Sequence, residues 1–301
     1  MILENAKTLN LKAYLQLTRP ANITTAIADI LAGVTIATFS FSMEDINPSK
    51  VIFLCLSTIG LYGGGIVFND IFDLELDKIE RPERVIPSGK VSKNNAIIFG
   101  VLLLLLGVFG ALANSSLSSL IALAVATCAL IYDKYGKHHS FLGPINMGLC
   151  RGGNLILGMS IIENSIPQWW WIGLLPVCYI AAITMISRGE VHGGNKNTLF
   201  FAAFLYVLVS TFQLFISFNL GNLKITLGFV ILHVYLIFKP LINAISNPIG
   251  PNISKAVKAG VLSLIVMDAA WVSVSGNIFL AIVVLCLLPF SIKLAKIFAV
   301  T

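Results

Sequence analysis

The chain has 301 residues, of which 57% are hydrophobic and 11% charged, and its mean hydropathy is +0.89. A soluble domain carries about 25% charged residues, so this composition excludes an ordinary soluble protein and predicts an integral membrane protein. The net charge of +6 is divided among short loops between apolar runs. That distribution favours membrane topology as its origin, so we expect a lipid bilayer as partner and no nucleic acid.

Ten apolar stretches are each long enough for a helix to cross a bilayer, which takes about 20 residues. They lie near residues 20–41, 51–72, 94–113, 116–133, 141–162, 168–187, 198–217, 222–241, 256–275 and 277–296. Only Gly276 and Asn277 separate the last two, so nine helices are the alternative to ten. We predict an all-α, polytopic transmembrane bundle of nine to ten helices that forms a single domain over residues 1–301.

Lysine and arginine concentrate in alternate connections between these stretches. The basic connections lie near 69–93, 133–139, 188–196 and 239–258, whereas those near 42–50, 114–116, 163–167 and 218–224 hold only Lys50 and Lys224. Because basic loops face the cytosol, we expect the loops at 69–93 and 188–197 and both termini to be cytosolic. No organelle-targeting segment is visible, which favours the cytoplasmic (inner) membrane of a bacterial-type cell.

The connection after the second stretch is unusually acidic. Residues 69–89 read NDIFDLELDKIERPERVIPSG and hold six of the 14 acidic residues of the chain. Asp70, Asp73 and Asp77 are spaced i, i+3, i+7, so a helix places the three carboxylates on one face. Carboxylates so placed repel one another unless a cation joins them, and oxygen ligands combined with substrate phosphate suit Mg²⁺. The ordinary alternative is a solvated, charged helix end.

Basic and amide side chains in the same segment extend this pattern. Arg81 and Arg84 follow the three aspartates, and guanidinium groups are typical ligands of phosphate oxygens. Asn69 precedes the aspartates and offers an amide contact. Together the acids and bases predict a metal–diphosphate site at the membrane surface.

The whole segment resembles the first aspartate-rich motif of the UbiA superfamily of intramembrane prenyltransferases, NDxxDxxxDxxxRPxRxxPSG, at every fixed position. Arg19-Pro20 before the first stretch is similar to the family's usual entry. Tyr132 and Lys137, in YDKYGKHHSFLG, match the family's Tyr and Lys after the fourth helix. The resemblance implies helices around a central cavity that is open to the membrane, with two Mg²⁺ ions holding a diphosphate under a cytosolic cap.

The activity that the resemblance implies is Mg²⁺-dependent transfer of a prenyl group from a prenyl diphosphate to an aromatic or lipophilic acceptor. Metal and basic side chains would neutralise the leaving diphosphate, and apolar helix walls would keep water from the allylic cation. The implied roles are catalysis and metal binding for Asp70 and Asp73, metal binding for Asp77, and diphosphate binding for Asn69, Arg81, Arg84, Tyr132, Lys137 and Lys196.

The second motif of the family, DxxxD or DxxDxxxD after the sixth helix, is altered here to SRGEVHGGNK. Glu190 takes the place of the first aspartate, but Gly194 lies four residues on, with Asn195 next. We expect either a lost second metal or one held by Glu190, Asn195 and diphosphate. Histidine side chains suit general-base work near neutral pH, so His192 is predicted to deprotonate the acceptor or the arenium-like intermediate. Its alternative is a loop histidine beside a tight turn.

Polar residues inside two apolar stretches are candidates for contacts with the acceptor. Asn22, Thr25 and Asp29 repeat the i, i+3, i+7 spacing, and buried acids in membranes usually face a cavity or a partner. Arg151, in LCRGGN, is expected to face the cavity and to pair with Asp29, Glu190 or an acidic acceptor. A polar contact between helices is the alternative for Asp29. These segments, with EVHGGN, also resemble the EboC-type subgroup of UbiA-like proteins.

Three other functions are compatible with parts of the sequence. A transporter would use intramembrane acids to carry ions, but the acids here cluster at one surface. A phosphotransferase of the CDP-alcohol type would require a DGxxAR string, which does not occur in the sequence. A catalytically altered UbiA-like protein that binds or helps to translocate a prenylated metabolite is favoured by the altered second motif.

Overall fold

The computed structural model describes residues 11–298, and within them the regular structure is entirely helical. A helical stretch at 11–18 precedes twelve further helices. These are α1 (Pro20–Ala37), α2 (Pro48–Phe72), α3 (Leu74–Glu80), α4 (Lys93–Leu112), α5 (Ser116–Lys134), α6 (Leu142–Met159), α7 (Leu174–Ser187), α8 (Lys196–Asn219), α9 (Leu223–Ser246), α10 (Gly250–Val274), α11 (Ile278–Leu285) and α12 (Leu287–Phe298). Short helical turns at Met43–Asp45, Gly136–His138 and Glu163–Gly173 lie in the connections.

Several membrane-length helices begin at a polar residue whose side chain accepts a backbone N–H bond. Asn47, Ser92, Ser115 and Asn195 cap α2, α4, α5 and α8 in this way. Such caps satisfy one of the free N–H groups at a helix start. The boundaries of these helices therefore follow from local sequence.

Nine segments within residues 11–298 are long and apolar enough to cross a membrane. The C-terminal stretch Ile278–Phe298 is separate from Gly250–Val274, as the ten-helix alternative required. The tenth helix of membrane length is α6, whose 18 residues include the polar side chains of Asn146, Arg151 and Asn154. The predicted all-α polytopic bundle is confirmed. The expectation for the two chain ends, 1–10 and 299–301, lies outside the described residues.

Two helices, α1 and α10, form the interior of the bundle. Most residues of both are buried, whereas α8 exposes a row of phenylalanines that includes Phe200, Phe204 and Phe215. In a membrane such apolar side chains face lipid. The arrangement places the polar residues of α1 inside the protein.

Helices α1 and α6 approach each other closely because each presents a glycine at the contact. A Cβ atom on Gly33 would lie 2.2 Å from the Leu155 carbonyl oxygen, and one on Gly158 would lie 2.5 Å from that of Ile30. Small residues at crossings let membrane helices pack backbone to backbone. This contact holds Asp29 of α1 beside Arg151 of α6.

Candidate active site

The aspartate motif lies where α2 passes into α3. Asp73 joins the two helices, and the backbone bonds from Asp73 N to Asn69 O (3.0 Å) and from Asp77 N to Asp73 O (2.8 Å) keep the helical spacing across the joint. Asp70 and Asp77 therefore stay on one face. Both carboxylates are buried.

Each aspartate of the motif is paired with a basic side chain. Arg19 Nη2 lies 2.5 Å from Asp70 Oδ1. Arg84 Nη1 lies 2.6 Å from Asp77 Oδ2 and 3.6 Å from Asp70 Oδ1, so one guanidinium bridges two carboxylates.

Lys137, from the connection between α5 and α6, pairs with Asp73. The structure therefore brings together Asp70, Asp73, Asp77, Arg84 and Lys137 with Arg19, which had been singled out only as part of the entry to the first helix.

A fourth carboxylate, Asp133 near the end of α5, joins this group and was not singled out from the sequence. Asn69 Nδ2 donates a hydrogen bond of 2.9 Å to Asp133 Oδ1, and the side chain is only 5% exposed. Asp133 directly follows Tyr132, one of the residues of the family resemblance. The signal that could have identified it is a carboxylate at the end of an apolar helix.

A cavity of about 340 Å³ extends from this group into the bundle. Arg19, Asn69, Tyr132 and Asp133 line one end of it. Apolar side chains form much of the wall, among them Leu61, Ile66, Ile180, Ile183 and Leu264. The cavity therefore combines a charged entrance with an apolar interior.

Polar residues also line the other end of the cavity, which we call the floor: Thr58, Arg151 and Asn154. Thr58 and Asn69 are eleven residues apart on α2, which corresponds to about 16 Å along a helix. The cavity is therefore long enough to hold two chemical groups at separate polar ends.

The floor is a buried network of hydrogen bonds around one ion pair. Arg151 Nε lies 2.6 Å from Asp29 Oδ2, and Asn154 Nδ2 donates to the same oxygen at 2.9 Å. Arg151 also donates from Nη1 to Thr25 Oγ1 (3.0 Å) and from Nη2 to the Thr25 carbonyl (2.6 Å). Thr58 Oγ1 donates to Asn154 Oδ1 at 2.7 Å. Arg151 therefore pairs with Asp29, one of the three partners that the sequence predicted for it.

The second loop, residues 188–196, has a different geometry. Burial raises the pKa of Glu190, while the charge of Lys258, a hydrogen bond with Ser254 and the charge of Arg81 lower it. Glu190 therefore faces α10 and the first loop.

The other predicted residues of this loop either cap a helix or are exposed. Asn195 Oδ1 accepts the Asn197 N–H at 2.8 Å as the cap of α8, and His192 and Lys196 are exposed. Gly193 turns the chain with a φ of +85°, a conformation that favours glycine. None of Glu190, His192, Asn195 and Lys196 lines the cavity. Asp70, Asp73 and Asp77 do not line it either, but they adjoin its entrance through the partners Arg19 and Asn69. Across residues 11–298, no three His, Cys, Asp or Glu side chains are arranged to hold a metal by themselves.

Known proteins resemble the chain in both sequence and fold. Digeranylgeranylglyceryl phosphate synthase of Methanocaldococcus jannaschii is 31% identical over 215 residues, which are 66% of this chain and 73% of the relative. The enzyme of the same name from Sulfurisphaera tokodaii is 28% identical over 186 residues, 62% of this chain, and the match spans only 64% of that relative's length.

Solved structures extend the comparison to most of the chain. A digeranylgeranylglyceryl phosphate synthase structure aligns with a TM-score of 0.65 and 26% identity, covering 89% of this chain and 99% of its own. A UbiA homologue from Archaeoglobus fulgidus, bound to GPP and Mg²⁺, shares the fold with a TM-score of 0.64 at 15% identity, covering 84% of this chain and 99% of its own. The model of the UbiA prenyltransferase family matches residues 30–246. The chain belongs to that family.

Proposed function

We propose that this protein transfers a prenyl group from a prenyl diphosphate to a lipophilic acceptor inside the membrane, with Mg²⁺ on the diphosphate. The observation that carries the proposal is the set of paired acids and bases around Asp70, Asp73 and Asp77 beside an apolar-walled cavity. Relatives named as digeranylgeranylglyceryl phosphate synthases and a neighbour bound to GPP and Mg²⁺ support this assignment.

The donor set at the entrance suits a magnesium–diphosphate complex. The three aspartates of the motif supply the oxygen ligands that Mg²⁺ prefers, and three basic side chains supply partners for phosphate oxygens. In the structure these groups pair with one another. On binding, we expect the carboxylates to turn to the metal while Arg19, Arg84 and Lys137 turn to the diphosphate. When bound, Mg²⁺ would neutralise negative charge on the leaving group.

The interior of the cavity suits the allylic part of the substrate. Leu61, Ile180 and Ile183 face it, and such a wall excludes water, which would otherwise capture the cation formed when the diphosphate leaves. The expected sequence is departure of the diphosphate, attack by the acceptor on the allylic carbon, and loss of the acceptor's proton.

The floor is the proposed position of the acceptor's polar group. Arg151 Nε lies 2.6 Å from Asp29 Oδ2 as an ion pair without hydrogen-bond geometry, and each Nη donates one N–H to Thr25. A guanidinium has five N–H donors in all. Two donors therefore remain for an acceptor oxygen. Asp29 pairs with Arg151, and the buried Asp268 carboxyl lies near both residues. The floor therefore offers no free positive charge to an anion, and an uncharged oxygen group suits it, as in an aromatic or other lipophilic alcohol. Asn22 also lines the cavity.

His192 has no part in this sequence of steps, since it is exposed and does not line the cavity. Its role as a general base stays a prediction, and so does membership of the EboC-type subgroup. We also propose that both motif loops lie on the cytosolic side of the cytoplasmic membrane, on the basis of the basic residues that they carry.

The direct test incubates the purified protein in lipid with geranyl, farnesyl and geranylgeranyl diphosphates, Mg²⁺ and a lipid extract, and identifies the prenylated product by mass spectrometry. We expect Asp73→Asn to lower turnover about 10³-fold, since about 4 kcal/mol of charge stabilisation is three factors of ten. Glu75→Gln is the matched control, because Glu75 is exposed and pairs only with Lys78 at 2.8 Å.

Two results would contradict the enzyme proposal. Full turnover by Asp73→Asn with Mg²⁺ present would remove the motif from the reaction. Tight binding of a prenyl diphosphate without any adduct would favour a protein that binds or helps to translocate a prenylated metabolite.

A further inference from the structure

We propose that Asp133 supplies the metal-binding carboxylate that the second loop lacks, so that the metal–diphosphate site is built from α2, α3 and α5. This inference rests on the proposed function and names a residue of the same site. In this arrangement, the carboxylate of Asp133 on α5 takes the place of the one that is missing from the second loop.

The position of Asp133 fits this role. It is the last residue but one of α5, it is 5% exposed, and it lines the cavity together with Asn69 and Arg19. Asn69 donates a hydrogen bond to Oδ1, whereas Oδ2 accepts none from the side chains that the structure describes. One oxygen is thus fixed and the other is available to a ligand in the cavity.

The hydrogen bond from Asn69 is the kind of support that metal-binding carboxylates have. Such ligands are usually held by a second residue that fixes their orientation. Asn69 immediately precedes Asp70 in the motif, yet its side chain reaches α5, whereas Asp70 reaches Arg19. The motif therefore contributes ligands of its own and also orients a ligand from another helix.

The charges around Asp133 also call for a cation. Asp70 and Asp73 are close enough to repel the Asp133 carboxylate, and Lys137, which pairs with Asp73, is the nearby charge that attracts it. If Lys137 moves to a diphosphate, as the proposed function requires, Asp73 and Asp133 both lose their compensating charge. A divalent ion placed between them would restore the balance.

The second loop offers no equivalent carboxylate. Glu190 faces Lys258 and Ser254 of α10. Asn195 is engaged as the cap of α8, and Gly194 has no side chain. A site that depended on this loop would have one acid, Glu190, which lies near the basic side chains of Lys258 and Arg81.

The experiment measures Mn²⁺ binding by electron paramagnetic resonance, with inorganic diphosphate present, on the full chain in lipid nanodiscs. We expect Asp133→Asn to weaken Mn²⁺ binding at least tenfold and Glu190→Gln to leave it unchanged. The asparagine keeps an Oδ1 for the bond from Asn69, so a purely structural role of Asp133 predicts no change in Mn²⁺ affinity. Asp133→Glu, which restores a carboxylate, should recover most of the binding.

Asp73→Asn separates the two proposals. If Asp73→Asn weakens Mn²⁺ binding and Asp133→Asn does not, the inference on Asp133 is overturned and the proposed function stands. If Asp73→Asn leaves binding unchanged, the proposed function itself fails. Weakened binding in Glu190→Gln would return the second carboxylate to the second loop. Should Asp133→Asn not fold, loss of Mn²⁺ binding in a folded Asp133→Glu would also overturn the inference, because that variant retains the carboxylate.

Discussion

The two loops that correspond to the family's aspartate motifs differ in what their polar side chains contact. In the first loop, Asp70 and Asp77 are buried and bound to Arg19 and Arg84. In the second loop, Asn195 caps a helix and His192 is exposed. Corresponding positions of the two motif loops therefore have different uses, and the contacts of a side chain tell more about its role than its place in a motif.

Backbone geometry explains much of the difference. The first loop continues helical hydrogen bonding through Asp73, so its charged residues keep a fixed spacing and face one direction. The second loop ends α7, turns at Gly193 with positive φ and starts α8 within a few residues. Asn195 is engaged as the cap of α8, and Glu190 is the one acid in residues 188–196.

The largest expected effect on stability comes from breaking the ion pairs of the first loop. Arg84→Met leaves Asp77 buried without its partner at 2.6 Å, and the side chains are 11% and 5% exposed. We expect a loss of about 3–5 kcal/mol, because an uncompensated buried charge is strongly destabilising. Unfolding in mixed detergent, followed by circular dichroism, measures the change.

The comparison variant in the second loop is Arg188→Met. Arg188 is exposed and donates to the carbonyls of His139 (2.7 Å) and Ser140 (3.0 Å). Bonds of this kind are each worth about 1 kcal/mol, so the loss should be clearly smaller. Equal losses in the two variants would mean that the two loops contribute alike to stability.

The next effect concerns binding of the substrate. Lys137→Met removes the cation paired with Asp73, and a hydrogen bond to a charged group is worth about 1.5–3 kcal/mol. We therefore expect the KM for a prenyl diphosphate to rise about 10- to 100-fold. Lys196→Met, at the exposed start of α8, should leave KM unchanged. A rise in KM in both variants would place diphosphate at both loops.

Sequence patterns predicted the bundle and the first motif because both depend on local periodicity. Apolar stretches define most helices, and the i, i+3, i+7 spacing is itself a helical property. The boundary of α6 was also expected, although Arg151 and Asn154 make this helix too polar for a simple hydropathy criterion.

Contacts between distant residues could not be read in the same way. Arg19 and Asp70 are 51 residues apart, and Asn69 and Asp133 are 64 apart, so their pairing depends on how the helices pack. A local signal was nevertheless present at Asn195, which was interpreted as a metal ligand. Asparagine just before an apolar run is a typical helix cap, which is the contact that Asn195 makes.

The smallest expected effect is the pH dependence that Glu190 adds to stability. Burial raises the pKa of Glu190 above its ordinary value of 4.5, so the folded protein binds this proton more tightly than the unfolded chain does. Stability then falls as the pH rises above about 4.5, because the slope of stability against pH follows the difference in the number of protons bound by the folded and unfolded states.

Glu190→Gln removes that contribution, so its melting temperature should decline less between pH 4 and pH 8 than that of the parent protein. Glu75→Gln is the opposite control, since Lys78 lowers the pKa of Glu75. If the melting temperatures of the parent protein and of Glu190→Gln change with pH in parallel, Glu190 is as well solvated in the folded protein as in the unfolded chain. The contrast between the two loops would then depend on the first loop alone.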